Sequence, residues 1–215
     1  EFRTLASRRH RGCFGKSSGG YGAMIHGMKY ASHWGAIASH SGDAYFDFVY
    51  RADWPNTLNE LAKYRRPARR SGPQPPPRGS ATGRRLARGL DDGRVQRFLE
   101  AVWKKPKLSH AEGHAIMNVC MAATYDPDPQ APLGFRLPFH LDSGELIEER
   151  WARWLEHDPV HLVRRHARNL RRLAGIYLDC GWRDQYQIHF GTRQLAHRLA
   201  AAGIAMPPFA HLVAA

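Results

Sequence analysis

The sequence predicts an α/β fold with a mostly parallel sheet and flanking helices. Within residues 11–38 an apolar strand end, a tight glycine-rich turn, a helix and a second strand follow one another, which is the pattern of a βαβ unit. A third buried strand is expected at 174–179, directly after a helix. The chain has 215 residues, 43% of them hydrophobic, so it is long enough to bury a full core.

The turn at 15–19 has the Gly-x-Ser-x-Gly pattern of a nucleophile elbow. Gly15 and Gly19 flank Ser17, where side chains would collide as the backbone reverses into the helix. The Ser17 hydroxyl is then exposed above the carboxyl end of the sheet, and the backbone N–H of Ser18 points to where an oxyanion would form. The pattern therefore predicts acyl transfer, although five such residues alone also suit a flexible turn.

Five more helices are expected along the chain. They begin near Asp92, after Ser109, near Ser143, at Asp158 with Pro at the first helical position, and near Tyr186. The fourth of them ends near Leu173. The predicted apolar faces of the first three consist of Val95, Phe98, Leu99 and Val102; Ile116, Val119, Cys120 and Ala123; and Leu146, Ile147, Trp151, Trp154 and Leu155.

At these motifs the chain resembles the esterase branch of the α/β-hydrolases, which includes S-formylglutathione hydrolase and, more distantly, the mycolyltransferases. The resemblance covers 1–64 and 91–204. It implies a partial α/β-hydrolase fold that lacks the first strands, and a serine carboxylic-ester hydrolase that forms an acyl-enzyme on Ser17. The residues that carry it are 11–12, 15–23, 39–43, Phe46, 122–125, 137–139, Trp151, Trp154, 158–159, 176–181 and 184–186.

The resemblance also indicates a catalytic acid. Asp184 lies in the loop beyond the third strand, where a carboxylate can orient a histidine, and Ser precedes Asp in the chain as this fold requires. Two alternatives stay open. Asp179 is a competing carboxylate at the strand end, and Asp184 could simply cap the helix of 186–202.

The catalytic base is where the sequence departs from the family pattern. The expected strand, acidic turn, glycine and histidine do not follow Gly203 and Ile204, and His211 is the only histidine downstream. His211 is therefore the default candidate. The chain also begins inside the helix that precedes the elbow strand, so the resemblance implies that the second oxyanion donor is absent and that catalysis is impaired.

Basic charge is concentrated in one segment. The net charge is +13, and residues 65–90 hold eight arginines, no acidic residue and many Pro and Gly. We expect a disordered insertion between 1–64 and 91–215, which together form one domain. The alternative is a basic arm that binds nucleic acid, but the segment lacks the interleaved aromatics of a base-stacking module, which argues against it.

The remaining features predict a simple enzyme without a cofactor. His110 with His114, and His157 with His161, are spaced at i, i+4, but neither pair lies in an H-E-x-x-H motif, so surface or capping roles are favoured over metal binding. Three scattered cysteines predict buried free thiols and a cytoplasmic protein. No apolar run is long enough to span a bilayer.

The expected partner is a small-molecule ester or thioester. The missing strands would leave a sheet edge unpaired, which predicts self-association. Two other functions remain open: acyl transfer to a different acceptor, and a non-catalytic remnant or binding protein that uses the basic arm at 65–90.

Overall fold

The structure is a computed structural model that describes residues 3–65 and 92–204. The predictions for His211 and for nearly all of the segment 65–90 lie outside these residues. The chain divides into two compact units, one formed by residues 1–52 with 155–215 and the other by residues 53–154.

The sheet of the first unit confirms the predicted parallel α/β arrangement. In the described residues it has three strands, β1 (Gly12–Lys16), β2 (Ala36–His40) and β3 (Gly175–Asp179), paired in parallel in the order β1-β2-β3. Lys16 lies opposite His40, and His40 lies opposite Asp179. The carboxyl ends of all three strands therefore meet at one edge, where ligands bind in open α/β sheets.

The described residues also form eight α-helices and two 3-10 turns, Arg8–His10 and Arg51–Asp53. Among these helices none is both long and apolar enough to cross a membrane. In chain order the α-helices are α1 (Ser18–Lys29), α2 (Phe46–Val49), α3 (Trp54–Ala62), α4 (Arg94–Val102), α5 (His110–Tyr125), α6 (Glu148–Leu155), α7 (Pro159–Leu170) and α8 (Ile188–Ala201).

One face of the sheet carries the core of the first unit. Helix α1 packs on β1 and β2 and against α7, and α8 packs against α7. Met24 and Met28, on the inner side of α1, are fully buried there. The core cluster includes these two methionines with Ile37, Val163, Leu170, Ile176, Leu178 and Leu199.

A buried carboxylate joins two helix starts in this unit. Asp158 accepts hydrogen bonds from the backbone N–H groups of Tyr45 at 3.0 Å, Phe46 at 2.8 Å and Val160 at 2.9 Å. The predicted cap of α7 is thus confirmed, and the same side chain also satisfies the start of α2.

The second unit has an aromatic core. Trp54 packs against Phe139 and meets Trp151 edge-on, with ring centroids 4.8 and 5.1 Å away. The predicted cap at Ser109 is confirmed as a capping box, because its hydroxyl accepts the Glu112 N–H and Glu112 accepts the Ser109 N–H.

Two sequence predictions are wrong in this unit. The helix expected near Ser143 begins at Glu148, because the chain first makes a tight turn. In this turn Gly144 has φ 71°, and the His140 backbone N–H donates to the Glu145 carbonyl at 2.9 Å. The predicted apolar face of α5 is also wrong at Cys120 and Ala123, which are exposed, because the helix instead buries Ala115, Val119 and Ala122.

The opposite face of the sheet is open in the described residues. Phe14 is 79% exposed and lies in register with Ala38 and Tyr177 across the three strands. These side chains help to line a shallow apolar cavity of about 370 Å³. The next row along the strands is polar and consists of Lys16, His40 and Asp179.

Candidate functional site

A strained serine connects β1 to α1. Ser17 has φ 57° and ψ −128°, a backbone conformation that L-residues rarely adopt and that costs on the order of 1–3 kcal/mol. Its N–H donates to the His40 carbonyl at 2.9 Å, and its own carbonyl accepts the Tyr21 N–H at 3.0 Å. These bonds hold the turn, and Ser17 is exposed at the sheet edge.

The close approach that makes this turn possible involves the two predicted glycines unequally. A Cβ at Gly15 would lie 2.9 Å from Gly19 Cα and still closer to the Gly19 carbonyl group. A Cβ at Gly19 would meet nothing within 4 Å. The predicted collision is therefore confirmed at Gly15, which packs against the backbone of Gly19. For a side chain at Gly19 itself the prediction is wrong.

A second glycine contact, which sequence reasoning missed, packs the start of α1 against the loop after β2. A Cβ at Gly20 would lie 2.8 Å from Gly42 Cα, and one at Gly42 would lie 2.6 Å from the Gly20 carbonyl carbon. The pairing of two glycines at this spacing has no local signature, because residues 20 and 42 belong to different elements.

Ser18 is the first residue of α1, and its two polar groups have different environments. Its backbone N–H has no partner one turn earlier in the helix, so it remains available to an anion at the positive end of the helix dipole. Its hydroxyl donates to Asp43 Oδ2 at 3.0 Å, and the Tyr50 hydroxyl donates to the same oxygen at 2.8 Å.

Asp43 is the buried acid of this site, with only 6% of its surface exposed. Burial raises the pKa of the Asp43 carboxyl, the hydrogen bonds from Tyr50 and Ser18 oppose that rise, and the charge of Asp184 adds to it. The family resemblance includes Asp43 only as the last residue of the range 39–43. A carboxylate in the loop directly after a buried strand is the sequence feature that could have identified Asp43 as a site residue.

Asp184 lies beyond β3, and its carboxylate caps the start of α8. Its Oδ1 accepts the N–H of Tyr186 at 2.9 Å and that of Ile188 at 3.2 Å. The capping role that the sequence left open is therefore present. Among residues 3–65 and 92–204 no histidine is hydrogen-bonded to Asp184.

Asp179, the competing carboxylate, has a histidine partner that the sequence did not indicate. His40 Nδ1 lies 2.9 and 3.0 Å from the two Asp179 carboxylate oxygens. Both residues end neighbouring strands on the open face, and the pairing depends on strand register across 139 positions. The site thus brings together Ser17, Ser18, Asp43 and Asp184 at one edge, with His40 and Asp179 beside them.

The described residues contain no group of three or more His, Cys, Asp or Glu side chains that could hold a metal ion. The three thiols are not in disulfides: Cys180 is buried, Cys13 is half-buried, and Cys120 is exposed. Burial raises the pKa of the Cys180 thiol, so this residue has no activated thiolate.

The chain belongs to the esterase family described as "Putative esterase", whose sequence profile matches residues 1–203. Among solved structures, a chain titled ferulic acid esterase is similar at 13% identity with a TM-score of 0.37. That comparison covers 94% of this chain and 43% of the other, so the present chain spans less than half of that protein's length. No curated protein shows significant similarity to the chain.

The contrast between the two elbow glycines gives a test of the turn. We expect Gly15→Ala to lower the free energy of unfolding by about 3 kcal/mol, because its methyl group must displace backbone. Gly19→Ala, the matched control, should change it by less than about 1 kcal/mol, since a methyl group there meets open space in a helix. Urea unfolding measures both. Equal effects of the two substitutions would contradict the geometry that the structure shows at this turn.

Asp43 predicts a pH dependence of stability. The pKa of Asp43 is raised in the folded state from a reference value of 3.8, so the folded chain holds this proton more tightly than the unfolded chain does. The free energy of unfolding therefore falls as the pH rises towards the folded pKa and the carboxyl group ionises. Asp43→Asn removes this proton equilibrium. The melting temperature of the variant minus that of the parent should be larger at neutral pH than near pH 4. A difference that shrinks as pH rises would contradict this prediction.

Proposed function

We propose that the protein is a carboxylic-ester hydrolase in which Ser17 forms the acyl-enzyme. The observation that carries the proposal is the backbone of Ser17, held at φ 57° between β1 and α1 by the contact of Gly15 with Gly19. Strain of this kind persists where the surroundings enforce it, and it exposes the hydroxyl above the strand ends. Membership of the esterase family supports the same chemistry.

In the proposed reaction the Ser17 oxygen attacks the ester carbonyl as a base removes its proton. The negative charge that develops on the carbonyl oxygen lies near the Ser18 N–H, at the start of α1. As the tetrahedral intermediate collapses, the base gives that proton to the leaving oxygen, the alcohol departs, and the acyl group remains on Ser17. Water then attacks the acyl carbonyl as the base removes a proton from it. The second tetrahedral intermediate releases the carboxylic acid and restores the Ser17 hydroxyl.

We assign the base to His211 and its orienting acid to Asp184. The environment of the two competing carboxylates supports Asp184, because Asp179 is already engaged by His40 through both oxygens. Asp184 is held through Oδ1 by two backbone N–H groups, and no described residue donates a hydrogen bond to its Oδ2. The second oxygen is thus the one that a histidine would contact.

Hydrolysis is favoured over acyl transfer by the exposure of Ser17. An acyltransferase of this fold must exclude water from the acyl-enzyme, and the described residues around Ser17 include no cover over it. The third alternative, a non-catalytic protein that binds through the basic segment at 65–90, leaves the strain at Ser17 without a role.

We further propose that turnover by the 215-residue chain is slow. Among the described residues we assign one backbone donor, the Ser18 N–H at the start of α1, to the oxyanion, whereas the family resemblance implies two. Loss of one donor costs on the order of a hundredfold in turnover. The free thiols at Cys13, Cys120 and Cys180 support a reducing compartment, so we place this activity in the cytoplasm.

The assignment of roles is tested with a short-chain p-nitrophenyl ester and the purified chain. We expect slow turnover that falls to the buffer rate in Ser17→Ala and by about a hundredfold or more in His211→Ala, because the base is lost. His40→Ala is the matched control, since His40 also pairs with a carboxylate near Ser17, and it should leave the rate little changed.

Each alternative has its own outcome in this assay. Turnover retained in Ser17→Ala removes Ser17 as the nucleophile. A loss in His40→Ala with none in His211→Ala moves the base to His40. A parent rate equal to that of a full-length serine esterase contradicts the proposed impairment.

We also propose that two copies associate through β1. In the described residues this strand pairs only with β2, so its other edge presents unpaired backbone groups beside the exposed Phe14 ring. An antiparallel pairing of two β1 strands would satisfy that edge and cover both rings.

Phe14→Thr tests this association while keeping a strand-forming residue. Sedimentation velocity should show a concentration-dependent dimer for the parent and a larger monomer fraction for Phe14→Thr. Trp103→Gln is the matched control, because Trp103 is 76% exposed but lies outside the sheet. An equal shift in both variants, or a parent that stays monomeric at all concentrations, would contradict the proposal.

A further inference from the structure

Two histidines lie side by side at the start of α5, in the second unit. His110 and His114 are one helical turn apart, and their ring centroids are separated by 4.2 Å. Their Nε2 atoms lie 3.1 Å from each other. The sequence spacing alone favoured surface or capping roles, but the distance between the two nitrogens raises a different possibility.

The orientation of the His114 ring is fixed by a carboxylate on its Nδ1 side. Its Nδ1 lies 2.9 Å from Asp53 Oδ2, and the other Asp53 oxygen accepts a hydrogen bond from Asn56 Nδ2 at 3.0 Å. An ionised carboxylate only accepts, so His114 Nδ1 carries the proton. When this ring is neutral, its lone pair is therefore on Nε2, the atom that lies beside His110.

The distance between the two Nε2 atoms fits joint coordination of one metal ion. Nitrogens at about 2.05 Å from a zinc ion are about 2.9 Å apart when they subtend about 90° and about 3.3 Å apart at the tetrahedral angle. The observed 3.1 Å lies between these values. A carboxylate behind a ligating histidine is the usual outer-shell arrangement in zinc proteins.

We propose that His110 and His114 form a binding site for an imidazole-preferring divalent transition-metal ion such as Zn²⁺. Without the ion, the His110 Nε2–H group donates a hydrogen bond to His114 Nε2. On binding, that proton moves through solvent to His110 Nδ1, and both Nε2 lone pairs bind the metal. Water completes the coordination, since the described residues offer no group of three protein ligands.

This site is independent of the ester chemistry proposed for the first unit. It has two protein ligands and lies near the positive end of the α5 dipole, so we expect affinity in the micromolar range. His110 is exposed, which gives the ion access from solvent. Bound metal would link the first two turns of α5 and stabilise the folded chain.

The other i, i+4 pair serves as a matched control. His157 precedes Asp158, the N-cap of α7, so His157 and His161 do not share a helix. His161 Nε2 lies 3.9 Å from Asp158 Oδ2, so its ligating nitrogen faces a carboxylate of its own chain segment. The sequence spacing of the two pairs is the same, and only the local geometry differs.

The experiment is calorimetric titration of the full chain, free of any histidine tag, with Zn²⁺. We expect one micromolar site whose affinity falls at least tenfold in His110→Ala and about tenfold in Asp53→Asn, the loss typical of an outer-shell partner. The double variant His157→Ala, His161→Ala should bind like the parent. Far-UV circular dichroism checks that each variant is folded.

A second measurement does not depend on substitution. Nitrogen NMR of the histidine rings should show the Nε2 resonances of His110 and His114 moving together as Zn²⁺ is added to the parent chain. Unchanged affinity in His110→Ala, loss of the site in the control double variant, or movement of only one of the two resonances would overturn the proposal.

Discussion

The contact between Gly15 and the backbone of Gly19 is the constraint on which the candidate site depends. It allows the chain to pass from the last residue of β1 to the first of α1 through Ser17 alone, and it leaves Ser17 at φ 57°. The hydrogen bond from Ser17 N–H to the His40 carbonyl ties the same turn to β2.

The rest of the site follows from parallel strand order. Because β1, β2 and β3 end at the same edge, the loops after them bring Asp43 and Asp184 close enough for their charges to interact, although 141 positions separate them in the chain. The Asp43 carboxylate then accepts hydrogen bonds from the Ser18 and Tyr50 hydroxyls beside the first residue of α1. Two acids thus have distinct structural tasks, one under the elbow and one at the start of α8.

Local signals predicted much of this architecture. The turn at Ser17, the cap of α7 at Asp158 and the cap of α5 at Ser109 depend on residues within one turn of each other, and such patterns can be recognised along the chain. The pairing of His40 with Asp179, the Gly20 and Gly42 contact and the support of His114 by Asp53 depend on distant segments. Strand register and helix packing determine these three contacts, and neither can be predicted from a single stretch of sequence.

The misplaced start of α6 has a similar cause. Ser143 is an acceptable N-cap, but Gly144 adopts a positive φ and the chain turns before the helix can form.

The central claim, that Ser17 is an activated nucleophile, is tested most directly by a fluorophosphonate probe with peptide mapping of the adduct. We expect one adduct on Ser17, and we expect it to be lost in Ser17→Ala. An unlabelled parent chain, or the same labelling in Ser17→Ala, would contradict it.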